Sequence, residues 1–188
     1  MISRRVALLA RSSRGYTLIE LIVVLSIFTI VVTALVQLFT SGARAELDMN
    51  RRFQAQQGAR LALDRMRREL HCASSITPGT DTDGDGNVAS ITVALPSQCP
   101  SAKGVAITVV YDTSLVATNR YKVRRTQGTS VVPIADYITN HDPFKYTAPS
   151  TSTRGLLHVD FPVNVYPNEG WKQWRLVDDI VLRNTLRQ

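Results

Sequence analysis

Asp81, Asp83 and Asp85 occupy alternate positions of the stretch DTDGDGNV, with Gly86 directly after them. Carboxylates at this spacing can converge on one hard cation such as calcium, while the glycine lets the chain turn sharply. The twelfth position counted from Asp81 is Thr92, not the bidentate glutamate that closes a calcium loop. A metal site here therefore needs a carboxylate from elsewhere, or binds at the weak end of the calcium range. Aspartate and glycine also build plain turns, and both readings stand.

The remaining candidates are sparse. His71, His141 and His158 are scattered without metal-ligand spacing, and an imidazole in mid-strand is by default satisfied or exposed. Trp171 and Trp174 bracket WKQW and suit packing better than ligand stacking. The chain has no G-x-S-x-G elbow, no glycine-rich phosphate loop and no recognisable pair of catalytic carboxylates. These absences argue against an enzyme. Cys72 and Cys99 lie 27 residues apart, and whether they meet depends on which side of a membrane they occupy.

From Tyr16 to Phe39 the chain runs 24 residues with Glu20 as its one ionisable group apart from the tyrosine. At ~1.5 Å per residue a helix of that length reaches about 36 Å, enough for a bilayer core of about 30 Å. Arg4, Arg5, Arg11 and Arg14 precede Gly15, and no acid does. The positive-inside rule holds that end in the cytoplasm and sends the carboxy-terminal part outward. An outward location permits a bridge between Cys72 and Cys99, the expected use of the pair over a nucleophilic thiol. The formal charge of +7 falls to +3 without those four arginines, so the basic balance is a weak sign of nucleic-acid binding.

Glu20 decides between three readings of the amino terminus. A secretory signal with a cut at Ala43–Ala45 is excluded by the length of the apolar run. A plain anchor fits the length but leaves the carboxylate unexplained, at about 2 to 3 kcal/mol near a membrane centre and less near an end. The third reading cuts a leader, residues 1–15, after Gly15. Tyr16 then becomes the new amino terminus, and Glu20 can meet the ammonium of a neighbouring copy. Opposite charges at ~4 Å attract by about 4 kcal/mol at an effective dielectric of 20, enough to offset burial of the carboxylate.

The stretch RG followed by YTLIELIVVLSIF resembles the class III signal and helix start of type IV pilin-like proteins. The resemblance implies cleavage by a prepilin peptidase between Gly15 and Tyr16, methylation of the Tyr16 amine, and a Glu20 contact to a neighbour's amino terminus. Family members more often begin with phenylalanine; Tyr16 keeps the ring.

Residues 16–40 are expected to form the membrane and assembly helix and 41–77 its amphipathic continuation. Ala59, Leu63, Met66, Leu70 and Ala73 recur at steps of four, three, four and three, one apolar stripe. Arg51, Arg52, Arg60, Arg65, Arg67 and Arg68 lie on the other faces and read as solvated, with partial pairing to Asp64 and Glu69. Pro78 and Gly79 are expected to end the helix. Residues 78–188 follow as a β-rich head whose valine-, isoleucine- and aromatic-rich runs predict an antiparallel sheet of about four to six strands. The expected class is α+β, a helix layer packed on a sheet. Residues 141–155 lack periodicity and are expected to be a loop.

RLALDRMRREL, YKVRR, VVPIADYITNHDPFKY and DDIVLRN are similar to the PilW-type minor pilins and the J-type pseudopilins of type II secretion. The helix also lacks the kinking proline of many major pilins. Together these imply a non-enzymatic minor subunit that joins a fibre through its helix, initiating assembly or sitting at the tip. Its partners would be other pilin-like subunits, the peptidase, and the cytoplasmic membrane with its assembly platform. The competing readings are a pseudopilin of a secretion or competence system, and a tip subunit that binds DNA or a surface.

Overall fold

The computed structural model describes residues 15–167, 169 and 172–183. The leader up to Arg14, Trp171 and Asn184 of the closing LRN lie outside them. The chain divides into two compact units, residues 1–47 and 48–188.

One helix, α1, runs from Leu18 to Cys72. It has no proline, and its glycines, Gly42 and Gly58, face open space. In the first unit every described residue is exposed, and this stretch is long and apolar enough to cross a membrane.

In the second unit α1 presents Ala55, Ala59, Leu63, Met66 and Leu70 to the core. Among the described residues eight strands follow: β1 Ser75–Pro78, β2 Ser90–Leu95, β3 Ile107–Ala117, β4 Arg120–Gln127, β5 Ser130–Ile138, β6 Phe144–Thr147, β7 Leu156–Val163 and β8 Trp174–Val181. They form one antiparallel sheet in the order β1-β2-β3-β4-β5-β7-β6, with β8 on β7. Residues 156–159 of β7 pair with both β6 and β8, so β7 lies between them, and β5 meets β7 only at Ile138↔Val163. Period-two alternation is plain in β2, where Ile91, Val93 and Leu95 are buried and their neighbours are not. Phe144, Leu157, Val159 and Phe161 extend the same core, with Phe144 and Phe161 edge to face at 6.1 Å between ring centres. The two-residue turn after β3 places Asn119 at φ 54, a conformation that asparagine tolerates better than most residues.

The architecture is the expected α+β one, with three differences in detail. The helix stops at Cys72 rather than at Pro78. Ser75–Pro78 instead pairs with Ile91–Ala94 of β2, so the backbone groups after Ser74 are satisfied by the sheet, and Pro78 disfavours helical geometry at Thr77. Among the described residues the sheet has eight strands, beyond the expected four to six, because Ser75–Pro78, Ser130–Ile138 and Phe144–Thr147 are strands as well. The third difference is β6, inside the expected loop 141–155, where four residues pair with Leu156–Val159.

Cys72 and Cys99 are joined by a disulfide across a sequence separation of 27, with Cα atoms 5.8 Å apart. In the chain-entropy picture a loop of that size contributes about 3 to 4 kcal/mol. It pins the end of α1 to the connection between β2 and β3.

Candidate functional site

The helix start is built by Thr17 and Glu20. Glu20 N–H donates to Thr17 Oγ1 at 3.4 Å, and Leu21 N–H to the Thr17 carbonyl at 3.2 Å. A threonine cap three residues before a glutamate is the layout of a capping box, and the carboxylate sits in the first turn, where the helix dipole favours an anion by about 0.3 to 1 kcal/mol. That falls short of the 2 to 3 kcal/mol cited for a carboxylate deep in lipid. A cation beside the carboxylate would add to what the helix start supplies.

On either side of Glu20 the helix surface is bare: Leu18, Ile19, Phe28, Ile30 and Leu38 are all well exposed. The span's hydroxyls make no demand on the surroundings. Ser26, Thr29, Thr33, Thr40 and Ser41 each donate to a carbonyl three or four residues back, at 2.7 to 3.0 Å. Such a segment suits insertion into lipid and packing against other apolar helices.

Residues 10–36 match the family described as the prokaryotic N-terminal methylation motif. This is the type IV pilin signal. The match contains Gly15, Tyr16 and Glu20, and it supports a membrane-anchored, pilin-like protein processed by a prepilin peptidase. Carriers of this motif are structural subunits that assemble with other pilins. Neither the curated proteins nor the solved structures contain a match to the chain.

In the second unit the acidic loop is engaged with itself. Asp81, Asp83 and Asp85 bring one oxygen each within 4.8 Å of one another. The two Asp81 oxygens accept the amides of Gly84 and Gly86 at 2.7 and 2.8 Å, and Asp85 accepts the Asn87 amide at 2.7 Å. These bonds hold the Asp81 and Asp85 carboxyls below their ordinary range, whereas desolvation, followed by the nearby Asp85 charge, pushes Asp83 up. Lys145 on β6 donates to the Asp85 carbonyl at 2.9 Å. Thr92, at the twelfth position, lies within β2, paired with Thr77 and Val110. The strand thus brings no twelfth-position carboxylate to the loop, whose three aspartates remain a group that could share one ion.

The histidines are placed apart. His71 Nδ1 is 3.0 Å from the Val181 carbonyl, His158 Nδ1 2.6 Å from Asp179 and His141 Nδ1 2.7 Å from Asp142. Several arginines of α1 are spent within the head: Arg52 pairs with Asp48 at 3.0 Å, Arg67 with Asp178 at 2.8 Å, and Arg60 lies 5.2 Å over the Trp174 ring.

Sequence reasoning missed a buried charge cluster among the described residues. Glu69, expected on a solvated face, is 1% exposed, and Arg125 of β4 is 5% exposed. Arg125 Nε donates to both Glu69 carboxylate oxygens at 3.1 Å, and Tyr111 of β3 adds its hydroxyl at 2.5 Å. Burial alone would raise the Glu69 carboxyl, yet the hydrogen bonds from Tyr111 and Arg125, with the arginine's charge, hold it below its ordinary value. Burial, then the Glu69 charge, push the Tyr111 phenol up. Two signals were available. Glu69 falls three residues after Met66 and four before Ala73, on the apolar stripe, and Arg125 follows Tyr121 and Val123 on the inward face of β4.

Proposed function

We propose that this chain is a minor subunit of a type IV pilus-like fibre, similar to the PilW-type pilins and J-type pseudopilins, and that it is not an enzyme. Prepilin peptidase cuts between Gly15 and Tyr16 and methylates the Tyr16 amine. The chain waits in the cytoplasmic membrane with its head outside, then enters the fibre, at its start or tip, through the apolar half of α1. The Glu20 carboxylate pairs with a neighbour's amino terminus, which sets axial register, because a misaligned neighbour leaves a charge unpaired. The observation that carries this reading is the methylation motif at 10–36 standing on an uncovered apolar helix.

Mass spectrometry of the chain purified from its native membrane tests it. A mature amino terminus at N-methylated Tyr16 is expected. A chain that keeps Met1, or that begins after Ala45, refutes the reading.

A further inference from the structure

Strand β8 closes the sheet on one side. Its residues Trp174–Val181 pair without a break with Leu156–Val163 of β7, and β7 is the one strand it pairs with among the described residues. Its other edge therefore presents main-chain donors and acceptors that no described strand meets. Sheets commonly blunt such an edge with a proline, a bulge, a lysine or a very short strand. At the far side of the sheet β1 is four residues long and ends in Pro78, whereas β8 has none of these devices. It does carry charges, and their order decides what the edge can accept.

Arg175, Val177, Asp179 and Val181 stand on the solvent face of β8, all exposed. When a second β8 pairs antiparallel with the first and Val177 lies on the two-fold axis, Val177 meets Val177, and Arg175 of each copy lies opposite Asp179 of the other. The neighbouring axes do worse. An axis at Arg175, Asp178 or Asp179 sets that charge against itself, and one at Leu176 brings no charge to its opposite. Arg175 already bonds to Asp160 at 2.8 and 2.6 Å, and Asp179 lies 2.6 Å from His158. Their side chains are still 65% and 62% exposed, so each has surface left for a contact across the edge. On the helix side the edge is flanked by Arg60 and Arg67 and by Asp64 and Asp178, two of each sign.

We propose that the β8 edge is a docking surface for a second copy of this chain, which adds its own β8 antiparallel with Val177 on the two-fold axis. Within the second unit α1 runs in the same direction as β8, with Arg60 at Trp174, Arg67 at Asp178 and His71 at Val181. The two-fold therefore sets the two helices antiparallel. Copies inserted in one membrane by the positive-inside rule share one orientation, so the contact joins heads that meet from opposed fibres or membranes and not neighbours within one. That last step rests on the membrane-anchored reading; the pairing of heads does not.

The full-length chain in detergent micelles tests the pairing through one added thiol, since Cys72 and Cys99 are bonded to each other and leave no free cysteine. Val177→Cys is expected to form a disulfide-linked dimer under a mild oxidant, because residues facing each other across the axis have Cα atoms ~4.5 to 5.5 Å apart. Val181→Cys is the control: each thiol is four residues from the axis, which separates the two by about 27 Å along the strands and leaves them unlinked. Added to the Val177→Cys chain, Arg175→Glu or Asp179→Arg sets like charges opposite one another twice, and each should lower the dimer yield by about tenfold. Mixing these two variants restores the yield, as a dimer with one chain of each kind, because every charge again faces its opposite. Equal linking of Val177→Cys and Val181→Cys overturns the proposal, and so does a mixture no better than either variant alone. Should a charge variant fail to fold, the contrast between Val177→Cys and Val181→Cys decides.

Discussion

Replacing Arg125 by methionine removes the guanidinium that donates to both Glu69 oxygens at 3.1 Å and leaves a carboxylate 1% exposed, held by the Tyr111 hydroxyl at 2.5 Å and by the more exposed Arg65 at the longer distance of 3.5 Å. Breaking a buried pair from one side costs about 3 to 5 kcal/mol. With a urea dependence of about 2 kcal/mol per molar, the unfolding midpoint should fall by roughly 2 M. The pH dependence separates this cause from lost packing. In the parent, the Glu69 carboxyl is held below its ordinary 4.5, so its contribution is complete above that value and is lost as pH falls below it. Without Arg125 the burial that raises the carboxyl is opposed by fewer partners, so the loss of stability on acidification should be smaller than in the parent. Urea unfolding of the full-length chain in micelles, followed by tryptophan fluorescence between pH 3 and 7, reads both. A midpoint drop equivalent to less than about 1 kcal/mol, or a parental pH slope in the variant, would show that the pair is not the dry contact described.

Other expectations are more direct. Glu20→Ala should leave leader removal and insertion intact yet reduce incorporation into fibres, scored by immunoblotting sheared fibres against membranes; normal incorporation sinks the register argument. Gly15→Leu should leave the leader attached, a mass difference visible in the purified chain. Met66→Ala, at a side chain with no exposure, should cost about 2 to 5 kcal/mol of unfolding free energy. Calorimetric titration with calcium should detect nothing tighter than the ~10⁻⁴ to 10⁻³ M range, and a submicromolar constant would mean that the Asp81 loop rearranges to recruit other ligands.

Periodicity made the helix stripe legible: Ala59, Leu63, Met66 and Leu70 are local in sequence, and their spacing reports the face they bury. The helix end was not legible in the same way, because Ser75–Pro78 leaves helical geometry in order to pair with β2, and that partner is distant in the chain. Strand β6 is four residues long between turns, too short to show alternation. Glu69 shows the same limit at the level of a side chain. Arg65 is four residues before it and suggests a surface pair, whereas the partners that bury it, Tyr111 and Arg125, lie 42 and 56 residues further along. At the amino terminus the reverse holds. Among the described residues Glu20 has only its backbone bond to Thr17, so composition and spacing carried nearly all of that reading.

The link between Cys72 and Cys99 encloses the exposed Asp81–Gly86 turn. A protease that nicks this turn therefore yields two pieces that still travel as one band on a gel, and they separate only after the sample is boiled with a thiol.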